Sequence, residues 1–236
     1  MKKPILFLGS LLFLLHGCKD DEIMPTDLGY GYWPTNTGHW VEYQVDSVWQ
    51  EDEVGLRITA SYRAMEVIDS QYVDAEGRPS QRIERFVLDP VDSTWVIKDI
   101  WTQTVTATYA EKTEENLRKL RLAFPVRDYQ IWNMNEFVSD DGLYFTTDDA
   151  NFEVEFDEID APWSNGYVSA DSTCTVVSTY PNNIVVTNTL NERYAKNIGL
   201  VEQLLVQYNV QDGDGPGNID DTTGYRKTMI AVAWGN

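Results

Sequence analysis

The chain has very little histidine or cysteine, with two of each among its 236 residues. Histidine-based metal centres and Ser-His-Asp triads need several such side chains in a defined context. After the first 17 residues the sequence keeps only His39, at the start of a strand pattern, and Cys18 and Cys174. We therefore expect no cofactor, no enzymatic activity, a structural His39 and a buried, unreactive Cys174.

Basic residues are also scarce, with 18 Lys and Arg against 38 Asp and Glu, a formal net charge of −20. Nucleic-acid binding through phosphates requires a basic patch, so this class of partner is excluded. Anionic lipid surfaces would repel such a chain as well. Mostly apolar residues run from 5 to 15, which is shorter than the roughly 20 residues of a membrane-spanning helix.

The first 17 residues combine two lysines, a short apolar stretch and small residues before a cut site, which is typical of a secretory signal peptide. The stretch LHGC, which ends at Cys18, resembles the lipobox of bacterial lipoproteins. That resemblance implies a diacylglyceryl thioether on Cys18 and cleavage before it. Two or more acyl chains anchor a protein stably, so the lipid bilayer is a predicted partner through acylated Cys18.

The residues after Cys18 read KDDE, which looks like the export signal of surface lipoproteins in Bacteroidetes. We expect an outer-membrane, surface-exposed position, with a periplasm-facing position as the alternative. The predicted organisation is a signal peptide over 1–17, a lipidated flexible tether over 18–31 and one domain over 32–236.

The domain shows the period-two alternation of half-buried strands. Val41, Tyr43 and Val45 share one face, and two later strands are separated by the turn sequence PNN. The pattern recurs along the chain, which predicts an all-β, single-domain antiparallel meander. The sheet should curve into a barrel or half-barrel, with a two-sheet sandwich as the alternative.

Two details of the strand pattern carry their own expectations. The segment 113–126 suits either helix or strand, and we expect a short helical turn leading into a strand that Pro125 ends. Further on, the alternation predicts that one side of a strand carries Leu200, Leu204, Val206, Tyr208 and Val210.

Three stretches together resemble a group of Bacteroidetes outer-membrane lipoproteins of unknown function. They are GHWVEY from Gly38, LRLAFPV from Leu120 and RYAKNIGLV from Arg193. Asn197 stands where that group usually has glycine, and asparagine tolerates left-handed backbone angles. The resemblance implies a β-rich fold and a lipid anchor, and it implies no reaction.

Candidate binding residues follow from the aromatic and acidic side chains. Trp33, Trp132 and Trp163 lie in turn-like contexts, where exposed rings stacking on a glycan are one hypothesis. A second is an apolar ligand or lipid carried in a cavity lined by Trp101, Val105, Leu204 and Val206. Partnership with another envelope protein is a third. Weak metal-ligand candidates are Asp212, Asp214 and Asp220.

Overall fold

The computed structural model describes residues 26–138, 151–179, 186–211 and 221–236, and these ranges are almost entirely β. Their helical segments are two 3-10 turns, Tyr30–Tyr32 and Asp52–Val54. The predicted all-β class is confirmed. The strands are β1 (Trp40–Glu51), β2 (Leu56–Val73), β3 (Pro79–Leu88), β4 (Trp95–Val105), β5 (Tyr109–Glu114), β6 (Leu117–Ala123), β7 (Ile131–Asn133), β8 (Glu153–Ser164), β9 (Ser169–Ser178), β10 (Val186–Ala195), β11 (Gly199–Gln211) and β12 (Asp221–Gly235).

These strands form one antiparallel sheet in the order β6-β5-β4-β3-β2-β1-β12-β11-β10-β9-β8-β7. Strands that follow one another along the chain are neighbours in the sheet, except at β6 and β7. The first and last strands also pair, with Trp40 opposite Gly235 and Glu51 opposite Thr223. The strands thus form one curved, nearly closed meander, as predicted, and the sandwich alternative is not formed.

The two edge strands, β6 and β7, come together and nearly close the barrel. The backbone N–H of Leu120 on β6 donates to the carbonyl of Met134, just after β7, at 2.8 Å. The indole N–H of Trp132 on β7 donates to the carbonyl of Leu120 at 3.1 Å. These bonds partly satisfy backbone groups that an open edge would leave unpaired.

Burial alternates along the strands with the expected period of two. In β1, Val41, Tyr43 and Val45 are buried and face the interior, as predicted. In β11 the prediction is wrong for Leu204 and Val206, whereas Leu200 packs against the interior clusters. A register shift lies opposite Arg193 and Tyr194, and Val201 and Gln203 are buried. Leu204 and Val206 therefore lie on the outer face, because the bulge resets the alternation.

The segment 113–126 contains a β-hairpin, so the expected short helical turn is wrong. Glu114 pairs with Leu117 across β5 and β6, and the two residues between them, Glu115 and Asn116, have φ of 49° and 66°. A two-residue turn with positive φ at both positions matches the twist of the flanking strands. As predicted, the following strand ends before Pro125.

Buried apolar side chains form two clusters on opposite sides of the barrel interior. The first is formed mainly by β5 to β10 with the segment around Trp33, and includes Leu122, Trp132, Phe156, Val176 and Tyr194. The second is formed mainly by β1, β2, β11 and β12, and includes Tyr43, Val45, Ala64, Val201 and Met229.

A segment before β1 caps one end of the barrel. The carbonyl of Leu28 accepts from the N–H of Val126 at 3.1 Å, and that of Gly31 accepts from the N–H of Asn197 at 2.7 Å. The carbonyl of Pro34 accepts from the side-chain amide of Gln103 at 2.8 Å. Residues 28–31, which the sequence places in the tether, are thus packed against the barrel.

Local geometry fixes the cap's course. Gly29 has a φ of 85°, and a Cβ there would lie 2.4 Å from Cγ2 of Val126, so only glycine fits both the backbone angle and the space. Asn197, opposite the cap, has a φ of 66°, which confirms that asparagine supplies the left-handed turn.

An ion-pair cluster, the cap pin, fastens this segment to the barrel wall. The Lys196 amino group lies 2.9 Å from Asp160 and 3.0 Å from Asp27. Asp160 also accepts from the Tyr32 hydroxyl at 2.9 Å and from Ser172 at 2.8 Å. The lysine hydrogen bond, followed by those of the two hydroxyls, lowers the pKa of Asp160 to about 2.

Candidate functional site: a charged cavity inside the barrel

A cavity of about 90 Å³ lies inside the barrel, between the two apolar clusters. Tyr43 and Met229 reach it from one cluster, and Trp33 and Tyr194 from the other. Alternation places every second residue of the surrounding strands on this inner wall. The charged side chains on the wall are Glu66, Arg85, Lys112, Glu114, Arg121, Glu192 and Lys227.

Five of these charges form a continuous ladder across the interior. Lys112 on β5 lies 2.7 Å from Glu66 on β2 and 3.0 Å from Glu114. Arg121 on β6 lies 2.6 Å from Glu114 and 2.9 Å from Glu192 on β10. Buried charges are tolerated only when they are paired and hydrogen-bonded, and each carboxylate in the ladder meets that condition.

Glu192 is the most enclosed member of the ladder, with its side chain 1% exposed. Besides Arg121, the hydroxyl of Tyr194 and the amide of Gln203 donate to it, both at 2.6 Å. Three donors from β6, β10 and β11 therefore hold one carboxylate.

Glu114 and Lys112, at the centre of the ladder, remain ionised at neutral pH. Burial alone would raise the pKa of Glu114, but the charges of Arg121 and Lys112 outweigh it and hold that pKa well below its usual range. Burial likewise opposes the charge on Lys112, and Glu66 and Glu114 nevertheless raise its pKa. A carboxylate and an amine in these states accept and donate hydrogen bonds but do not exchange protons near pH 7.

The ring of Trp101 contacts two of the cations. The Lys112 amino group lies 4.6 Å from the Trp101 ring centroid, and the Arg85 guanidinium lies 5.2 Å from it. Arg85 also donates to Asp99 at 2.9 Å and to the Tyr62 hydroxyl at 3.1 Å. Cation–π contacts of this kind strengthen when water is excluded.

Arg85 is shared between the cavity and a groove on the outer surface, which Tyr62 also lines. Arg85 lines the inner cavity, and both residues line an outer groove of about 440 Å³ that includes the β3–β4 turn. This turn lies at the barrel end opposite the cap, because β3 begins and β4 ends beside the cap. Arg85 therefore lies between the cavity and the groove at this end of the barrel.

Lys227 on β12 differs from the other cations of the wall. Within the described ranges the side chain of Lys227 makes no ion pair and no hydrogen bond. Burial, the largest influence, lowers its pKa despite the more distant Glu114 and Glu192. Its cross-strand partners are Ser47 and Leu205, which carry no charge.

The three tryptophans proposed as exposed binding residues are buried or half-buried. Trp33 and Trp132 are buried, at 8% and 9% exposed, and Trp163 is half-buried against the second apolar cluster. The expectation of exposed rings is wrong for Trp33 and Trp132, because the turns that carry them fold onto the first cluster. Of the predicted apolar-carrier lining, Trp101 reaches the cavity and Val105, Leu204 and Val206 do not.

His39 and Cys174 are placed as expected. The ring nitrogens of His39 lie 2.6 Å from the side-chain oxygen of Asn236 and 2.9 Å from the carbonyl of Ile198. These contacts link the start of β1 to the end of β12 and to the turn between β10 and β11. Cys174 is buried, and that burial raises the pKa of its thiol.

Other predicted sites fall outside the described residues, namely Cys18 and the aspartates Asp212, Asp214 and Asp220. In the part of the chain that is described, no three His, Cys, Asp or Glu side chains are grouped to hold a metal ion. No helix within the same ranges has both the length and the apolarity to cross a membrane.

The charged ladder itself was missed from the sequence, although a signal for it exists. Glu192 lies in phase with buried Leu190 and Tyr194, and Lys227 lies in phase with Met229. A charge at an inward position of an alternating strand is rare unless it is paired. Charges that keep this phase on several strands predict a polar barrel interior.

Comparisons with known proteins add little to this geometry. No protein-family model matches the chain, and no curated protein matches it. Among solved structures, the chain is similar to a protein from Parabacteroides distasonis that is provisionally described as a lipoprotein. The similarity has a TM-score of 0.43 and 12% sequence identity, and covers 86% of this chain and 98% of that one.

Proposed function

We propose that this protein is a lipid-anchored component of the bacterial cell envelope that binds a small ligand inside its barrel. The observation that carries the proposal is the interior cavity, whose wall combines aromatic rings with fixed, paired charges. Concave sites with apolar walls and a few fixed polar groups are typical ligand sites.

The anchor follows from the sequence around Cys18, whose acylation would hold the protein at the outer membrane, with its domain on the surface or facing the periplasm. The cap is the first part of the described fold. An anchored chain therefore enters the barrel at its capped end, and the outer groove beside Arg85 lies at the other end. In this orientation the outer groove beside Arg85 faces away from the bilayer.

The composition of the wall favours one of the kinds of ligand considered from the sequence. A lipid tail requires an apolar, open interior of about 300–1,000 Å³, whereas this cavity measures about 90 Å³ and carries charges. A stacked glycan requires exposed rings, and Trp33 and Trp132 are buried. A small polar molecule fits the wall better than either.

The proposal is one of binding without a chemical step. General acid–base catalysis needs a group whose pKa lies near the working pH. The pKa of Glu114 lies well below its usual range, so this carboxylate fixes charge and position and does not transfer protons.

A screen with a cavity-filling variant tests the proposal. The full chain, purified from membranes in detergent, is screened against small neutral and charged molecules by ligand-observed NMR. In Ile83→Phe, a larger ring replaces a buried cavity-lining side chain, whereas Ile100→Phe enlarges an exposed residue on the outer face of β4. Molecules that bind the wild type and Ile100→Phe but not Ile83→Phe would support interior binding. No such molecule in the screen would refute it.

A further inference from the structure

Lys227 presents to the cavity a charge that no residue of the described ranges pairs. The other three cations of the wall each have a carboxylate within 3.0 Å: Arg85 has Asp99, Lys112 has Glu66 and Arg121 has Glu192. Every carboxylate of the ladder is already engaged by Lys112 or Arg121. An ammonium group left in this position is costly unless something else pairs with it.

Further polar atoms on the same wall lack hydrogen-bond partners. The indole N–H of Trp33 and the Nε–H of Arg85 are buried donors without an acceptor, and Oε1 of Gln203 is a buried acceptor without a donor. Together with the ammonium of Lys227, the residues of this wall therefore carry three kinds of unpaired donor and one unpaired acceptor. Polar groups that are enclosed without a partner cost stability.

The excess of donors points to the chemistry of the missing partner. A carboxylate accepts hydrogen bonds through two oxygens and carries one negative charge, which matches one unpaired cation. Hydrogen bonds between ionised groups are the stronger ones. A dianion would add a second charge beside Glu114 and Glu192, which already lie in the electrostatic range of Lys227.

Size and wall composition narrow the class further. A volume of about 90 Å³ exceeds the roughly 10–15 Å³ that one water needs and falls far below the space that a drug-sized ligand takes. Ile68, Ile83 and Met229 supply apolar surface beside the polar groups. We infer that the cavity holds a small organic carboxylate with a short apolar part, and that Lys227 is its charge partner. This inference rests on the proposed interior binding.

The test compares a charged probe with its neutral twin. Propionate and propionamide have nearly the same shape, and their affinities for the full detergent-purified chain are measured by NMR titration. We expect propionate to bind and propionamide to bind at least tenfold more weakly. Lys227→Met should reduce propionate affinity at least tenfold. Arg226→Met, which removes the exposed neighbouring cation on the outer face of β12, should leave that affinity unchanged.

Several outcomes would overturn the inference. Equal binding of propionate and propionamide, or propionate binding that survives in Lys227→Met, would remove Lys227 as the charge partner while leaving interior binding intact. Tighter, Lys227-dependent binding of inorganic phosphate would replace the carboxylate class. Failure of every screened molecule, neutral ones included, would remove the proposed function itself. Lys227→Gln, which keeps a polar side chain, repeats the measurement if Lys227→Met does not fold.

Discussion

Arg121 and Glu192 form a 2.9 Å ion pair across the barrel interior, and this pair joins edge strand β6 to β10 on the other side of the gap in the sheet. The ladder of paired strands stops between β6 and β7. The side chains of Arg121 and Glu192 bridge the barrel interior beside that gap. The two side chains are 9% and 1% exposed, so water scarcely competes with the pair.

The first prediction concerns this pair. Arg121→Met should lower the free energy of unfolding by about 3–5 kcal/mol, because Glu192 and Glu114 lose a buried cation. Denaturant unfolding measures the change. Arg82→Met is the control, because Arg82 pairs with Asp69 and Glu84 at the solvent-accessible surface of the barrel. This variant should cost less than about 1 kcal/mol. Equal stability of the two variants would show that the interior pair contributes no more than a surface one.

A second prediction concerns acid and the cap. The pKa of Asp160 is about 2 in the folded protein and about 3.9 in an unfolded chain. A depressed pKa contributes stability above the unfolded value, and that stability is lost as the pH falls toward the folded value. The cap should therefore loosen between pH of about 4 and about 2.

Hydrogen exchange at the amide of Val126, which donates to Leu28 of the cap, reports this loosening. In Asp160→Asn one carboxylate of the cap pin is gone, so the part of the pH dependence due to Asp160 should disappear, and the part due to Asp27, whose pKa is also lowered, should remain. If the wild type and this variant keep the same profile between these pH values, Asp160 does not control the cap.

A third prediction concerns the stability of the empty cavity. Burial lowers the pKa of Lys227, so its charge costs stability at neutral pH and costs less as the pH rises toward the unfolded value of about 10.4. Without ligand, Lys227→Met should be more stable than the wild type at pH 7, by about 1–3 kcal/mol. This gain should shrink at alkaline pH. A loss of stability at pH 7 would mean that Lys227 supports the ladder instead.

A fourth prediction concerns Gly29. Alanine there must adopt a φ of 85° and displace Val126, whose Cγ2 would be 2.4 Å away, so Gly29→Ala should destabilise the protein by more than about 2 kcal/mol. Gly77 has a φ of 79° with open space around it. Gly77→Ala should therefore cost only the backbone strain, about 1 kcal/mol. Thermal unfolding of both variants separates the steric part from the backbone part.

The fifth prediction tests the anchor. Cys18→Ala should abolish incorporation of a clickable palmitate analogue and release the protein from the membrane fraction, because the thiol is the predicted acylation site. Cys174 is buried, so Cys174→Ala should label like the wild type. Labelling that persists in Cys18→Ala would place the lipid elsewhere or exclude it.

Much of the fold could be predicted because alternation reports burial directly. Val41, Tyr43 and Val45 gave the inward face of β1 correctly, and Asn197 gave the left-handed turn. The prediction failed where one residue resets the phase, as in β11, where a bulge turned Gln203 inward and Leu204 outward. Bulges arise from pairing with a neighbouring strand, which one strand's pattern does not contain.

The candidate site could not be predicted for a related reason. Lys112 and Glu192 are separated by 80 positions in the sequence, yet Arg121 and Glu114 connect them in one ladder. The phase of Glu192 in its strand indicates an inward position, but only sheet closure brings the strands together and shows which charges pair. Trp33 and Trp132 were misjudged because their turn sequences indicate exposure, and the folding of those turns onto the barrel is a tertiary effect.

The pairing of β1 with β12 also sets an order of events. β12 follows every other strand of the sheet along the chain, so β1 must wait for its second partner until β12 has emerged. Pairing between such distant segments is slow, because the entropy of closing a long loop is lost before any contact forms. A chain that is secreted from its N-terminus could thus complete its barrel only after β12 had crossed the membrane. The last strand to arrive would then close the barrel and complete the cavity in the compartment where the protein works.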